Sequence, residues 1–258
     1  MFRGLDEAYG TYRIDSKQTN GKNVGKASVV REPRTTEHWV KHLDGTGDAL
    51  GIVPINADNQ SVFGAIDIDE YPLDHTPLIK KIRKMKLPLV VCRSKSGGAH
   101  CYLFSTDWIS AKEMQETLST MCSALGYSGS EIFPKQRQLQ LARGDIGNFI
   151  NCPYFEADSG LRYSILDDGA AATLDEFLDQ YDHYVQTPEQ IAALQIEDSP
   201  DNPVPDGPPC LQTLCAQKIS EGGRNNGLFN IGVYLRKAYP SDWQSEILAY
   251  NMNFFDPP

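Results

Sequence analysis

The order of predicted elements between Ser61 and Pro134 is the feature that most restricts the fold. Segments rich in β-branched and aromatic residues predict strands, and apolar residues three and four apart are typical of helices. The predicted strands lie at 61–69, 87–92, 100–104 and 130–134, and the predicted helices at 75–85 and 110–125. This order is β-α-β-β-α-β, which predicts an α+β fold with an RRM-like core.

Such a topology brings the polar ends of three strands together. Right-handed crossovers place the first strand between the third and the fourth, antiparallel to both. Its C-terminal end then meets the N-terminal ends of its neighbours. The residues at those ends are Asp67 and Asp69, then His100, then Glu131. We therefore expect three acids and one histidine at one edge of the sheet.

Further elements flank this core. A strand, a helix and a strand are predicted at 27–31, 35–43 and 49–55, which we interpret as an added N-terminal α/β layer. Strands at 147–153 and 161–166 and a helix at 174–184 follow the core. From Glu197 the sequence EDSPDNPVPDGPP is typical of a linker. The predicted domains are a catalytic domain at 1–186, an acidic proline-rich linker at 187–209 and a small helical C-terminal module at 210–258.

The charge of the chain is unevenly distributed. The net charge is −10, yet residues 1–155 carry 19 Lys+Arg against 17 Asp+Glu, whereas residues 156–206 carry 1 against 13. The acidity therefore does not exclude a nucleic-acid-binding face in the first part of the chain. No apolar stretch is long enough to span a membrane, and the six scattered cysteines include no C-x-x-C pair. These features predict a cytoplasmic protein with reduced thiols, in the host cytoplasm if the source is viral.

The segment Ile66-Asp67-Ile68-Asp69 places two carboxylates on one face of a strand. Two such carboxylates repel each other unless a cation compensates, and Mg²⁺ or Mn²⁺ with hard oxygen ligands is the usual one. The alternative is a strand that ends in a solvated turn, with Asp69 and Glu70 as turn residues. Glu131 would supply a third carboxylate at the same edge.

The turn that leads to His100 has the composition of an anion-binding loop. Glycines allow backbone N–H groups to face an anion, and serine and basic side chains add donors and charge. An ordinary hairpin turn with a surface histidine is the alternative. Lys135 and Gln136 follow the fourth strand, where a phosphate or a template backbone could lie. The candidate nucleotide-binding residues are Arg93, Lys95, Ser96, Gly97, Gly98, His100, Lys135 and Gln136.

At these residues the sequence resembles the archaeo-eukaryotic primase superfamily, particularly its primase-polymerase branch in phages, plasmids and bacterial conflict systems. Asp67 and Asp69 are similar to the first acidic motif, Ser96 to His100 to the second motif, and Glu131 to the third, where many members have aspartate. The resemblance covers residues 26–155 and implies DNA replication chemistry by a metal-dependent nucleotidyltransferase. It implies catalytic and metal-binding roles for Asp67, Asp69 and Glu131, with Mg²⁺ or Mn²⁺, NTP or dNTP substrates, and a single-stranded DNA template with a primer.

The C-terminal piece resembles helical segments that follow primase domains in phage and plasmid primase-helicases. Leu228, Ile231, Tyr234 and Leu235 form a predicted apolar stripe. The preceding Arg224, Asn225 and Asn226 would either contact nucleic acid or cap this helix. The chain ends directly after an aromatic pair, and we expect a boundary there with a further module, such as a replicative helicase.

Two other functions remain open from the residues alone. A non-catalytic RRM-like nucleic-acid-binding module would display aromatic residues on its central strands, whereas the first strand here offers carboxylates. A nucleotide cyclase-like metal enzyme could use the same fold and the same acids. A rolling-circle nickase would need two histidines on one strand, and the chain contains no H-x-H pair.

Overall fold

The computed structural model describes residues 1–17, 23–158, 160–196, 208, 211 and 224–254. The fold is mixed α+β, with two antiparallel sheets and, in the described residues, seven α-helices. No helix of those residues has both the length and the apolar character needed to cross a membrane.

The first sheet is built mainly from the N-terminal part of the chain. Its elements are β1 (Tyr9–Lys17), β2 (Asn23–Val30), α1 (Thr36–Asp44) and β3 (Ala49–Ile52). The strand order is β2-β1-β3-β8, in which the last strand, β8 (Ile150–Asn151), comes from after the second sheet. The sequence analysis did not predict β1, although it is paired along both of its edges.

The second sheet and two helices correspond to the predicted core elements. They are β4 (Gln60–Ile68), α2 (His75–Lys84), β5 (Val90–Arg93), β6 (Ala99–Ser110), α3 (Ala111–Leu125) and β7 (Glu131–Phe133). The strand order is β5-β6-β4-β7, so β4 lies between β6 and β7 and is antiparallel to both, as the crossover argument predicted. Ser110 caps α3, because the backbone N–H of Glu113 donates to Ser110 Oγ at 3.1 Å.

The two faces of the second sheet have different neighbours. A Cβ added to Gly64 of β4 would lie 2.5 Å from Leu118 Cδ1 and 2.8 Å from Met114 Cγ of α3, so α3 covers that face. The opposite face includes Phe63, Ala65 and Tyr102, which belong to one buried cluster with Leu50, Ile52 and Ile150 of the first sheet. The face that bears Asp67 is therefore turned towards the first sheet, because residues two apart on a strand share a face.

The elements after β8 fold onto the second sheet. Residues 163–165 lie along β5, where the backbone N–H of Arg93 donates to the carbonyl of Tyr163 at 2.8 Å and Ser164 forms a bridge with Cys92. Two helices follow, α4 (Leu174–Tyr184) and α5 (Pro188–Ala192). The predicted linker at 187–209 thus begins with a helix, because Thr187 and Gln190 form a capping box and Ile191 is buried. Most of the rest of that predicted linker lies outside the described residues.

By internal contacts the chain divides into two units. The first comprises Met1–Ser119 and Ser130–Gln195, and the second comprises Thr120–Gly129 and Ile196–Pro258. The second unit contains α6 (Arg224–Ala238) and α7 (Trp243–Phe254). Ile231 and Leu235 of the predicted stripe are buried there with Tyr250, and Leu228 and Tyr234 pack against them. The side chains of Arg224, Asn225 and Asn226 lie outside the described residues.

Candidate active site on the second sheet

A row of polar side chains crosses the second sheet. Asp67 on β4 is directly opposite His100 on β6 and directly opposite Glu131 on β7. Directly opposed residues of antiparallel strands have their side chains on the same face, with Cβ atoms about 4.5–5.5 Å apart. The structure therefore brings together three of the four residues that the sequence placed at this edge, and Asp69 follows one residue after the end of β4.

Asp67 is the member of the row whose bonding is least satisfied. Its Oδ1 lies 3.3 Å from His100 Nε2, but this contact does not have hydrogen-bond geometry, and Oδ1 is buried without a hydrogen-bond partner. A buried carboxylate oxygen without a partner is costly, because water no longer solvates it. Its Oδ1 can therefore still accept a hydrogen bond or bind a positive group.

The other two acids are occupied by neighbouring side chains. Glu131 forms an ion pair with Lys135, with Nζ 2.6 Å from Oε2. Asp69 is exposed and accepts a hydrogen bond from Tyr71. Partial burial and this bond raise the pKa of Tyr71 to about 12, so its hydroxyl stays protonated and donates. Among the described residues no three His, Cys, Asp or Glu side chains are arranged to hold one metal ion.

The glycine turn closes tightly against the end of β4. The backbone N–H of Ser94 donates to the carbonyl of Gly98 at 2.9 Å, and that of Gly97 donates to the carbonyl of Ser94 at 3.1 Å. Gly97 has a φ of 101°, which side chains rarely adopt. A Cβ on Gly98 would lie 2.2 Å from the carbonyl oxygen of Ile68. The turn is therefore held next to the strand end that bears the acids.

The basic residues of the turn have partners outside it. Arg93 Nη1 donates to the carbonyl of Leu161 at 2.8 Å. Lys95 Nζ lies 3.5 Å from the ring centroid of Tyr12 on β1. Ser96 is exposed and hydrogen-bonds Tyr71. Arg93 and Lys95 therefore lie near the 161–165 segment and the first sheet, respectively. The sequence analysis did not connect either region with the site.

Gln136, the last of the predicted nucleotide-binding residues, is bonded within the loop that precedes β8. Its Nε2 donates to Asn148 Oδ1 at 2.6 Å, and its Oε1 accepts from the backbone N–H of Asn148 at 3.1 Å. It is thus positioned by this loop rather than by the row at Asp67.

A hydrogen-bonded chain behind His100 joins the two sheets. His100 Nδ1 lies 3.1 Å from the hydroxyl of Tyr102, and that hydroxyl donates to the carbonyl of Asn151 on β8 at 3.0 Å. Asn151 Oδ1 is buried without a hydrogen-bond partner. The sequence analysis missed Tyr102 because a tyrosine within an apolar strand has the signature of a core residue.

Arg162 is a second residue that the sequence analysis missed. The residue is 6% exposed, and its Nη1 has no hydrogen-bond partner. Its guanidinium carbon lies 5.4 Å from the ring centroid of Phe155 and 5.8 Å from that of Tyr12. In the described part of the chain no carboxylate forms an ion pair with it. A lone arginine inside a predicted apolar strand was the available signal.

Residues 8–198 match the family described as the archaeo-eukaryotic primase domain of TOTE conflict systems. This chain belongs to that family. The match begins just before β1 and ends after α5, so both sheets of the primase domain lie within it, whereas α6 and α7 lie outside it. The resemblance drawn from the three motifs is confirmed, and it extends beyond residues 26–155 at both ends.

Solved structures give a more distant likeness. The primase domain is similar to the archaeo-eukaryotic primase domain of the cyanophage S-2L primase-polymerase, with 12% identity and a TM-score of 0.36, over 67% of this chain and 88% of that one. It is also similar to the catalytic domain of the primase RepB′ in complex with initiator DNA, with 12% identity and a TM-score of 0.32, over 70% and 92% of the two chains. A search of curated protein sequences finds no match.

Proposed function

We propose that this primase domain is a DNA primase-polymerase, which transfers nucleotidyl groups from NTPs or dNTPs to a growing strand on a DNA template. The observation that carries the proposal is the row in which Asp67 faces both His100 and Glu131, beside a glycine turn with basic residues. Acids that can bind a cation, next to donors that can bind a triphosphate, are what phosphoryl transfer requires.

We infer that the second sheet with α2 and α3 is an RRM-like catalytic core. Its strand order, with the first strand between the third and the fourth, supports this inference. An RRM that only binds nucleic acid stacks bases on aromatic residues of its central strands. Here the aromatic residues Phe63, Tyr102 and Phe104 of the two central strands are buried in the hydrophobic core, which favours catalysis over base stacking.

Asp67 and Asp69 would hold Mg²⁺ or Mn²⁺, with Glu131 joining them in the catalytic complex. The donor set fits such an ion, because hard oxygen ligands suit it and Asp67 Oδ1 is buried without a hydrogen-bond partner. Asp67 and Glu131 are also like charges opposed across two strands, an arrangement that a cation stabilises. Glu131 must leave Lys135, and Asp69 must leave Tyr71, before they can join. When bound, the ion would supply charge stabilisation to the reacting phosphates.

The triphosphate would bind between this row and the glycine turn. His100 Nε2, the hydroxyl of Ser96 and the backbone of Gly97 and Gly98 are the proposed donors. Arg93, Lys95, Lys135 and Gln136 are the further proposed contacts, the first three of which add charge. We add Arg162 to them, because its buried, unpaired guanidinium is suited to an anion.

Primer extension tests the proposal directly. The chain is incubated with a primed DNA template, Mg²⁺ or Mn²⁺, and labelled dNTPs or NTPs, with and without the primer. We expect metal-dependent extension of the supplied primer. The double variant Asp67→Ala, Asp69→Ala should abolish extension, because it removes two carboxylates of the proposed metal site while β4 keeps its apolar residues.

A matched control removes the same charge elsewhere. Asp175→Ala with Asp179→Ala deletes two exposed acids of α4 and should extend the primer at the wild-type rate. Full extension by the Asp67, Asp69 variant would refute the polymerase mechanism. Extension by neither the wild type nor the control would refute the proposed activity itself.

A further inference from the structure

The two ring nitrogens of His100 face different partners. Nε2 points to the row, 3.3 Å from Asp67 Oδ1, and Nδ1 points into the protein, 3.1 Å from the hydroxyl of Tyr102. The two rings meet edge to face, with centroids 5.9 Å apart and an interplanar angle of 84°. Tyr102 therefore contacts the imidazole of His100 on the side away from the acids.

The tyrosine hydroxyl has one proton and two neighbours. The carbonyl oxygen of Asn151 can only accept, so the proton of Tyr102 is directed to it at 3.0 Å. The phenol keeps this proton, because burial raises the pKa of Tyr102 well above 10. The hydroxyl oxygen is then left to accept a hydrogen bond from His100, so Nδ1 carries a proton.

We propose that Tyr102 is a positioning residue for His100: its hydroxyl, anchored on the Asn151 carbonyl, holds Nδ1–H and keeps Nε2 directed at the Asp67 row. The anchor lies on β8 of the first sheet, whereas His100 and Tyr102 lie on β6 of the second. The orientation of the imidazole is thus fixed by the relative position of the two sheets. The inference rests on the proposed role of His100 as a phosphate contact.

Nuclear magnetic resonance of the imidazole nitrogens tests the positioning independently of activity. In the wild-type chain the Nδ1 resonance of His100, assigned by its loss in His100→Gln, should fall among protonated ring nitrogens. In Tyr102→Phe the ring of the phenylalanine offers Nδ1–H no hydrogen-bond acceptor, so the Nδ1 resonance should move away from its wild-type position.

Steady-state kinetics give the functional half of the test. Loss of one neutral hydrogen bond corresponds to about a three- to tenfold effect, which we expect as a rise in the KM for the incoming nucleotide with a smaller change in kcat. Tyr154→Phe is the matched control. Tyr154 is also buried, and its hydroxyl donates to the carbonyls of Ala172 and Thr173 but does not contact His100. That variant should keep both the His100 spectrum and the KM.

Three results would overturn the inference. An unprotonated Nδ1 in the wild type would do so even if Tyr102→Phe failed to fold. An unchanged Nδ1 resonance in a folded Tyr102→Phe would do so as well. Equal changes in KM for Tyr102→Phe and Tyr154→Phe would reduce Tyr102 to a structural role. If the wild type showed no nucleotidyl transfer, the proposed function would fail while the spectrum still decided the positioning.

Discussion

At the scale of single residues, Arg162 is the clearest case of a buried side chain that lowers the stability of the fold. A buried guanidinium without an anion loses its hydration and gains no ion pair in return, a cost of several kcal/mol that the rings of Tyr12 and Phe155 offset only in part. Burial lowers the pKa of Arg162, which is the electrostatic sign of the same cost. A bound phosphate would offset this cost of burial, because a charge-assisted hydrogen bond is strong in such an environment.

Replacing Arg162 with methionine should therefore separate binding from stability. We expect the KM for the nucleotide to rise about tenfold or more, since a charged hydrogen bond contributes about 1.5–3 kcal/mol. The free energy of unfolding should stay the same or increase, because methionine fills the site without a buried charge. Arg162→Lys, which keeps the charge, should fall between the wild type and the methionine variant. A large loss of stability with an unchanged KM would assign Arg162 to the scaffold.

His42 predicts a specific dependence of stability on pH. Its Nδ1 accepts from the backbone N–H of Leu50 at 2.9 Å, and its Nε2 donates to the carbonyl of Pro153 at 2.7 Å, so it is buried as the neutral ring. Burial lowers the pKa of His42 to about 4. The unfolded chain protonates first as the pH falls below about 6.5, so the stability from the neutral ring is present above that pH and is lost towards pH 4.

Urea unfolding at two pH values measures this effect. Between about pH 7 and about pH 5 the wild type should lose roughly 2 kcal/mol through His42. His42→Gln should be less stable at neutral pH and should lack this part of the pH dependence. Parallel curves for the two proteins over that range would show that His42 does not titrate as its burial implies.

At the level of elements, the glycine turn is packed so closely against the end of β4 that a shift of one would shift the other. The carbonyl of Ile68 occupies the space that a side chain on Gly98 would need, and His75 Nε2 lies 3.0 Å from the carbonyl of Gly98 on the other side. The position of the turn is therefore coupled to the position of the acids at the end of β4.

Gly98→Ala should consequently impair activity more than stability would explain. The added Cβ forces the turn away from Ile68, which displaces Asp69 relative to His100. We expect at least a tenfold loss of kcat/KM in primer extension, roughly 1.4 kcal/mol or more. Gly47→Ala is a suitable control, because its Cβ would meet only the Lys41 side chain, with Lys41 Cβ the nearest atom at 3.1 Å, and Gly47 is not part of the turn. Wild-type extension by the Gly98 variant would contradict the proposed coupling of turn and strand.

The elements that sequence reasoning predicted well are those with strong local signals. Helix α4 spans Leu174–Tyr184 as predicted, since the Thr173–Glu176 capping box is visible in the sequence. Strand β6 runs six residues past its predicted end at 104, because the polar Ser105, Thr106 and Asp107 interrupt its apolar pattern. Strand β1 was missed because Gly10 interrupts its pattern.

The same distinction applies to the site. Asp67, His100 and Glu131 could be brought together from the sequence because the order and direction of the strands decide which strand ends meet. The contacts of Lys95 with Tyr12 and of Arg93 with Leu161 could not, because both partners come from segments outside the 61–134 core.

For the molecule as a whole, the C-terminal boundary of the primase domain is a point that experiment can decide. We propose that the catalytic domain extends to Gln195 rather than to residue 186, because α5 packs Ile191 into the first unit. The backbone of Gln186 is paired on both sides, since its N–H donates to the carbonyl of Phe104 and its carbonyl accepts from Thr106. The chain therefore continues as folded structure past the predicted boundary.

Two shortened chains distinguish these boundaries. Residues 1–195 should fold and retain metal-dependent extension of a supplied primer. Residues 1–186 should be less stable by about 1.5–3 kcal/mol, the contribution of one fully buried aliphatic side chain. Ile191→Ala in the longer chain should reproduce much of that loss. Thermal unfolding and primer extension measure both properties, and failure of the longer chain to extend would place part of the second unit in the catalytic machinery.

The strand order of the two sheets has a consequence for how the chain is made. Strand β3 stays unpaired on one edge until Ile150 and Asn151 leave the ribosome. Strand β5 likewise has one unpaired edge until residues 163–165 have been made. Asp67, His100 and Glu131 are thus synthesised before the segments that close both sheets around them. Open strand edges are where nascent chains pair wrongly with one another. Translation speed between residues 131 and 165 should therefore influence how much of this protein reaches its native form.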